Sequence, residues 1–211
     1  MNKSKFGIVI MLIVGLLLSG SLTLVTEARG QGNGVHDPED IVNDYQEYDI
    51  SEEQIEDLKF MYEEEKLARD LYAKLGAEYG LPIFNNISQS EEQHMAALEA
   101  LFEKYDLEKP SAKPGEYNTS ELAEAYDEFL EEGLESEEAA LELGKELEEK
   151  DIEDLEDAMD DATPDFETVY NSLKEGSENH LESFERVLED DNDRGKQNGQ
   201  GRGGNGKGRS W

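Results

Sequence analysis

The chain has 211 residues, 53 Asp and Glu against 19 Lys and Arg, a formal charge of −34 and no cysteine. The missing cysteine excludes disulfides, thiolate metal sites and a lipid-modified N-terminus. The acidic balance excludes nucleic acid and repels anionic lipid.

The charge is uneven. Residues 38–193 hold 51 acids against 11 Lys and Arg, a net of −40, while residues 194–211 carry five basic side chains and no acid. Lys3 and Lys5, the apolar run 6–18 and the small or polar residues up to Ala28 read as a secretory signal over 1–28. The nearly apolar span 6–25 also approaches the length of a membrane anchor, so cleavage and retention both stay open. Residues 29–50 form a linker whose His36 is expected to be solvated. An EF-hand is not supported, because Asp190-Asp191-Asn192-Asp193-Arg194-Gly195 has Arg at the fifth loop position and Gly201 where the closing Glu belongs.

The first long helix is expected over 51–79, opened by the capping box Ser51-Glu52-Glu53-Gln54 and stopped by Gly80 and Pro82. Leu58, Met61, Leu67, Leu71, Tyr72 and Leu75 share its apolar face. Glu64 lies near the centre of that face and Glu65 near its edge, so either can turn a carboxylate inward, whereas Glu63 is directed outward. A second helix over 83–106 follows a short loop and runs antiparallel. Its face of Phe84, Ile87, Met95, Leu98, Leu101 and Phe102 includes Glu91 and His94, one helical turn apart. A connection of nearly thirty residues comes next, containing a short acidic helix over 120–132 closed by Gly133.

The third long helix, over 136–160 with a kink expected near Asp151, places Glu148 and Asp151 on its apolar face, and leaves Glu149, Glu153 and Asp157 off it. The fourth, capped by Thr163 with Pro164 at its first position, has Ser177 and His180 within its apolar stripe. Residues 191–211, rich in Gly, Asn and Arg, are expected to form a disordered tail.

Glu64 or Glu65, Glu91, His94, Glu148, Asp151 and His180 therefore converge on the interior of four helices joined by one long crossover. Burying several carboxylates without partners costs several kcal/mol each or forces them to protonate. A pair of divalent cations removes that cost, and oxygen ligands with one or two imidazoles suit iron or manganese.

Glu65-Lys66-Leu67-Ala68-Arg69-Asp70-Leu71-Tyr72 resembles the E-x-x-A-x-x-x-Y of the first helix of rubrerythrin and bacterioferritin proteins, Glu91-Glu92-Gln93-His94 their E-x-x-H, and Glu148-x-x-Asp151 the paired acids of the third rubrerythrin helix. More closely, 61–72, 80–84, 90–95, 151–155, Gly176-Ser177 and Asn179-His180-Leu181 resemble an uncharacterised ferritin-like family, domain of unknown function 2202, over about 51–189. The resemblance implies an all-α, ferritin-like four-helix bundle over 51–190, and the wider superfamily implies dimetal oxidation or peroxide chemistry. The chain departs from the superfamily at Ser177, where a second E-x-x-H would have its Glu; Asp151 is the residue placed to compensate. Glu91 and His94 also lie about a turn above Glu65 when residues are counted back from the first loop.

Two functions from different classes follow. One is an exported dimetal protein and candidate di-iron oxidoreductase, its two iron or manganese ions bridged by Glu91 and Glu148 and completed by Glu65, His94 and His180. The other is a non-catalytic acidic envelope protein with a degenerate metal site. Metal ions are the expected ligands. A cell-envelope surface and a second copy of the chain, as a homodimer, are the further candidate partners, and nucleic acid is not one.

Overall fold

Five helices and no strand make up the described residues of the chain, which are 46–200 in this computed structural model, with side chains described to residue 190. The signal or anchor, most of the linker with His36, and residues 201–211 of the tail lie outside them. No described helix is long and apolar enough to cross a membrane.

Helix α1 spans Glu52–Tyr79, α2 Pro82–Lys104, α3 Ser120–Gly133, α4 Glu137–Met159 and α5 Pro164–Gln200. Ser51 accepts from the Gln54 amide while the Gln54 side chain accepts from the Ser51 amide, so the expected capping box opens α1. Gly80, at φ 68°, closes it in the left-handed region, and Pro82 starts α2 at a position where no backbone donor is needed. Only Gly80 and Leu81 separate the two helices, which fixes them as antiparallel neighbours. Helix α4 is continuous through Asp151. Helix α5 continues to Gln200, ten residues past the expected end. Residues 191–200 contain two glycines, which a helix tolerates at about 1 kcal/mol each.

The long helices pack mainly as α1 on α2 and α4 on α5, with α1 also meeting α4 and α2 meeting α5. The crossover between α2 and α4 is tied down by one stripe of α1. Asp70 Oδ2 accepts from the Gly115 amide at 2.9 Å, Glu63 Oε1 from the Asn118 amide at 2.6 Å, and Arg69 Nη2 donates to the Ala112 carbonyl at 3.0 Å. Lys66, fully buried, donates to the Glu116 carbonyl and sits 3.7 Å above the Tyr117 ring. Glu63 is thus buried, against the outward placement expected of it. The helical periodicity located it correctly on the side away from the centre, but the crossover covers that side.

The interior divides into two apolar clusters. One gathers Leu71, Tyr72, Leu75, Phe84, Leu143 and Phe184; the other gathers Leu58, Tyr62, Leu98, Phe102, Phe166 and Tyr170. Between the two, every long helix contributes buried polar residues: Glu64 and Glu65 on α1, Glu91 and His94 on α2, Glu148, Asp151 and Asp154 on α4, Ser177 and His180 on α5. The chain therefore builds a polar layer across its middle with hydrocarbon on both sides.

Candidate metal centre

Glu91 sits at the middle of that layer, 1 % exposed. Its Oε2 lies 2.8 Å from His94 Nδ1 and its Oε1 lies 3.0 Å from His180 Nδ1. Each imidazole nitrogen also meets a second carboxylate. His94 Nδ1 is 3.1 Å from Glu65 Oε2, and His180 Nδ1 is 3.3 Å from Glu148 Oε2. The two rings stack at 5.3 Å between centroids and 27° between planes.

Two groups result, Glu65 with Glu91 and His94, and Glu91 with Glu148 and His180, and within each the ligand atoms lie within 4.8 Å of one another. Glu91 belongs to both. Glu148, expected as a second bridge, belongs to one. Glu65 and His94 meet at 3.1 Å despite the turn of offset expected between them. Each group could hold a metal ion through one imidazole nitrogen and two carboxylates.

The lone pairs support that reading. Glu65 Oε1 and both oxygens of Asp151 are buried without a hydrogen bond, and such groups are rare and costly unless something else satisfies them. Asp151, 9 % exposed, lies beside the two groups rather than within either. Ser177, fully buried in the place of the absent fourth-helix Glu, donates at 3.1 Å to the Leu173 carbonyl of its own helix.

Two residues position the ligands. Tyr72, fully buried, donates to Glu148 Oε1 at 2.7 Å and lies 3.3 Å from the Gly144 carbonyl, which orients that carboxylate toward His180. Gly176 gives His94 its place: a Cβ there would sit on Nε2 of the ring and 2.7 Å from Cε1. Tyr72→Phe removes one oriented donor and leaves the ring packing, so metal affinity should fall about 10- to 100-fold with little change in folding. Competition against a chelator of known affinity measures it.

Protonation in the metal-free centre follows from burial and neighbours. Burial opposes a charged His94, but Glu65 and Glu91 outweigh it and hold its pKa well above the ordinary value. His180, likewise opposed by burial and supported by Glu148 and Glu91, is raised to about 10. Glu91 is the exception among the carboxylates: burial pushes it up, but the two imidazoles bring it below its ordinary value. Burial and Asp151 raise Glu65, burial and Glu91 raise Glu148, and burial with Glu148 pushes Asp151 up to about 7. Protons on the two imidazoles thus stand where cations would, and metal binding must release them.

A pH dependence follows with a definite sign. Folded Asp151 holds its proton to about pH 7 where the unfolded group loses it near 3.8, so metal-free stability falls as pH rises between those values. The His180 contribution is complete below 6.5 and is lost as pH climbs through about 10. Glu91 acts oppositely, contributing above about 4.5 and losing its contribution in acid. Melting in the presence of chelator should therefore show a temperature that declines from about pH 5 to 10, and Asp151→Asn should flatten the part below pH 7.

Similarity to known proteins covers this whole arrangement. The description "Uncharacterized protein domain (DUF2202)" matches residues 54–199, from the first turn of α1 to the end of α5. The chain belongs to the DUF2202 family. It is 42% identical over 142 residues to "Uncharacterized protein MJ0754" of Methanocaldococcus jannaschii, covering 66% of this chain and 77% of that protein. It is also similar to the crystal structure of hypothetical protein MJ0754 from Methanococcus jannaschii DSM 2661, with a TM-score of 0.67 at 40% identity over 69% of this chain and 85% of that one.

Within the DUF2202 domain the structure brings Glu65, Glu91, His94, Glu148 and His180 into the two groups, with Asp151 beside them. Glu64 turns instead toward Asp154, a buried residue outside the expected set. The spacing carried a signal for Asp154, since it follows Glu148 and Asp151 at the same three-residue interval. Gly176 was visible as part of a motif, but its role depends on a ring supplied by another helix.

Proposed function

We propose that this DUF2202 domain is an exported dimetal protein of ferritin-like architecture, holding iron or manganese and acting as an oxidase- or peroxidase-type oxidoreductase. The observation that carries it is Glu91, whose two oxygens lie 2.8 Å and 3.0 Å from the Nδ1 atoms of two different histidines. One carboxylate between two imidazole-containing groups is the arrangement that bridges a metal pair in a helix bundle. Glu65 and His94 would hold one ion, Glu148 and His180 the other, and Asp151 stands ready to supply the carboxylate that Ser177 does not. Bound iron or manganese would supply one-electron redox chemistry and Lewis acidity at the open positions. The chain's own part is to place the ligands, to take up protons on His94 and His180 when metal leaves, and to keep bulk water out with the apolar clusters on either side. The N-terminal segment supports export, and the cysteine-free ligand set fits a compartment where thiolate would oxidise.

Protein refolded with excess iron or manganese should retain about two ions per chain and melt at a higher temperature than the chelated form. Absence of bound metal together with an unchanged melting temperature would remove this reading. A second reading is a non-catalytic acidic envelope protein whose inward acids are protonated or water-filled, favoured by the upward shifts of Glu65, Glu148 and Asp151 in the metal-free centre. Under it metal makes no difference to the melting temperature, and Glu91→Ala and His94→Ala remove no metal cross-link.

A further inference from the structure

One donor of Arg69 is used neither by the centre nor by the crossover. The guanidinium gives Nε and Nη2 to Asp70 Oδ1 at 3.0 and 2.6 Å, and Nη2 also to the Ala112 carbonyl at 3.0 Å. The remaining nitrogen, Nη1, points at the thioether of Met95, 3.4 Å from Sδ. A thioether is a weak acceptor, so a permanently charged donor faces an atom that barely answers it. Met95 follows His94 on α2 and is 3 % exposed, whereas 14 % of the Arg69 side chain is exposed, so the guanidinium reaches from solvent to the buried sulfur. Met61 and Met159 pack in or against the same apolar cluster as Met95. Among the described residues, Met95 is the methionine with a charged donor on its sulfur.

We infer that Met95 is an oxidation site: hydrogen peroxide transfers an oxygen atom to its sulfur, and the Arg69 guanidinium receives the resulting sulfoxide. A sulfur lone pair attacks one peroxide oxygen and the O–O bond breaks. The departing hydroxide takes the proton left on the transferred oxygen and leaves as water, so sulfur is oxidised by two electrons and peroxide is reduced. Return to the thioether takes two thiols, which leave as a disulfide, and releases water. A sulfoxide ordinarily disrupts a core, because a polar S–O group is buried with no donor. Here Nη1 already stands on the sulfur, and a partly negative oxygen converts the weak contact into a charge-assisted hydrogen bond. The site goes beyond the dimetal reading and does not depend on it, since peroxide of any origin serves. A centre that handles peroxide at His94 would bring the oxidant one residue away from Met95.

The test treats the full chain, kept metal-free in chelator, with graded hydrogen peroxide. Peptide mass spectrometry reads each methionine, and the melting temperature reads the fold. In the wild-type chain Met95 should gain one oxygen at doses that leave Met61, 1 % exposed, as the thioether, and the melting temperature should hardly move. Arg69→Leu also frees Asp70 and Ala112, so each chain is compared with its own untreated form. In that variant oxidation of Met95 should lower the melting temperature by several degrees, Arg69→Lys should recover part of the loss, and Met95→Leu should not respond to the same doses. Met95 that stays reduced until the chain melts, Met95 and Met61 oxidised in step, or an equal fall in melting temperature for the wild type and Arg69→Leu overturns the inference. The comparison of Met95 with Met61 in the wild-type chain decides the matter even where Arg69→Leu does not fold. The dimetal reading stands in every case, because no metal enters the experiment.

Discussion

Glu91→Gln is expected to abolish binding at both halves of the centre at once. Every other ligand serves one group, whereas Glu91 places one oxygen against His94 Nδ1 and the other against His180 Nδ1. An amide keeps the shape and loses the charge, and its nitrogen would face one imidazole with a donor where a lone pair had been. Stoichiometry should fall from about two ions to none, measured by elemental analysis after gel filtration. The stabilisation by metal should go with it. A ligand at 100 times its dissociation constant stabilises by about 2.7 kcal/mol, on the order of 10 °C for a domain of this size. The wild-type chain should show that rise and the Gln variant should not, in parallel melts with and without Mn2+.

Gly176→Ala separates the halves. In an exposed helix, Gly to Ala stabilises by about 1 kcal/mol. Here the added methyl meets the His94 ring, which is held by Glu65 and Glu91 on its other edge. The sign therefore reverses, with an overpacking cost of about 1–3 kcal/mol, and His94 leaves its group. About one ion should be lost and the ion at Glu148 and His180 kept. On a His94→Ala background, Gly176→Ala should cost no further melting temperature and no further ion, because the ring it strikes is gone. A cost that vanishes on that background marks the clash as its cause, and a single variant that keeps both ions would show that the ring has room.

How much of this was legible in the sequence depends on how local each feature is. Helix limits were, the end of α5 excepted, because Ser51 with Gln54, Gly80, Pro82, Gly133, Ser136 and Pro164 act through their own backbone neighbours. The inward placement of Glu91, His94, Glu148 and His180 was too, since periodicity fixes a face. Choosing Glu65 over Glu64 required knowing what each meets across the interior, His94 for one and Asp154 for the other. Periodicity could not say that Glu63, Lys66 and Asp70 are buried, because the crossover that covers them has no helical pattern of its own. The segment 63–72 therefore does two jobs: its Glu65 and Tyr72 serve the centre, while Glu63, Lys66, Arg69 and Asp70 hold the crossover. Gly176 was hardest to read, since a missing side chain shows its purpose only against the neighbour that fills the space.

The central claim is that one buried glutamate joins two cation sites. Anomalous diffraction from crystals grown with Mn2+ addresses it most directly. The account predicts two peaks about 3.5–4 Å apart, one among Glu65, Glu91 and His94 and the other among Glu91, Glu148 and His180. Crystals saturated with Mn2+ that show no peak in the layer, with both histidine Nδ1 atoms still resting against the Glu91 oxygens, would contradict it.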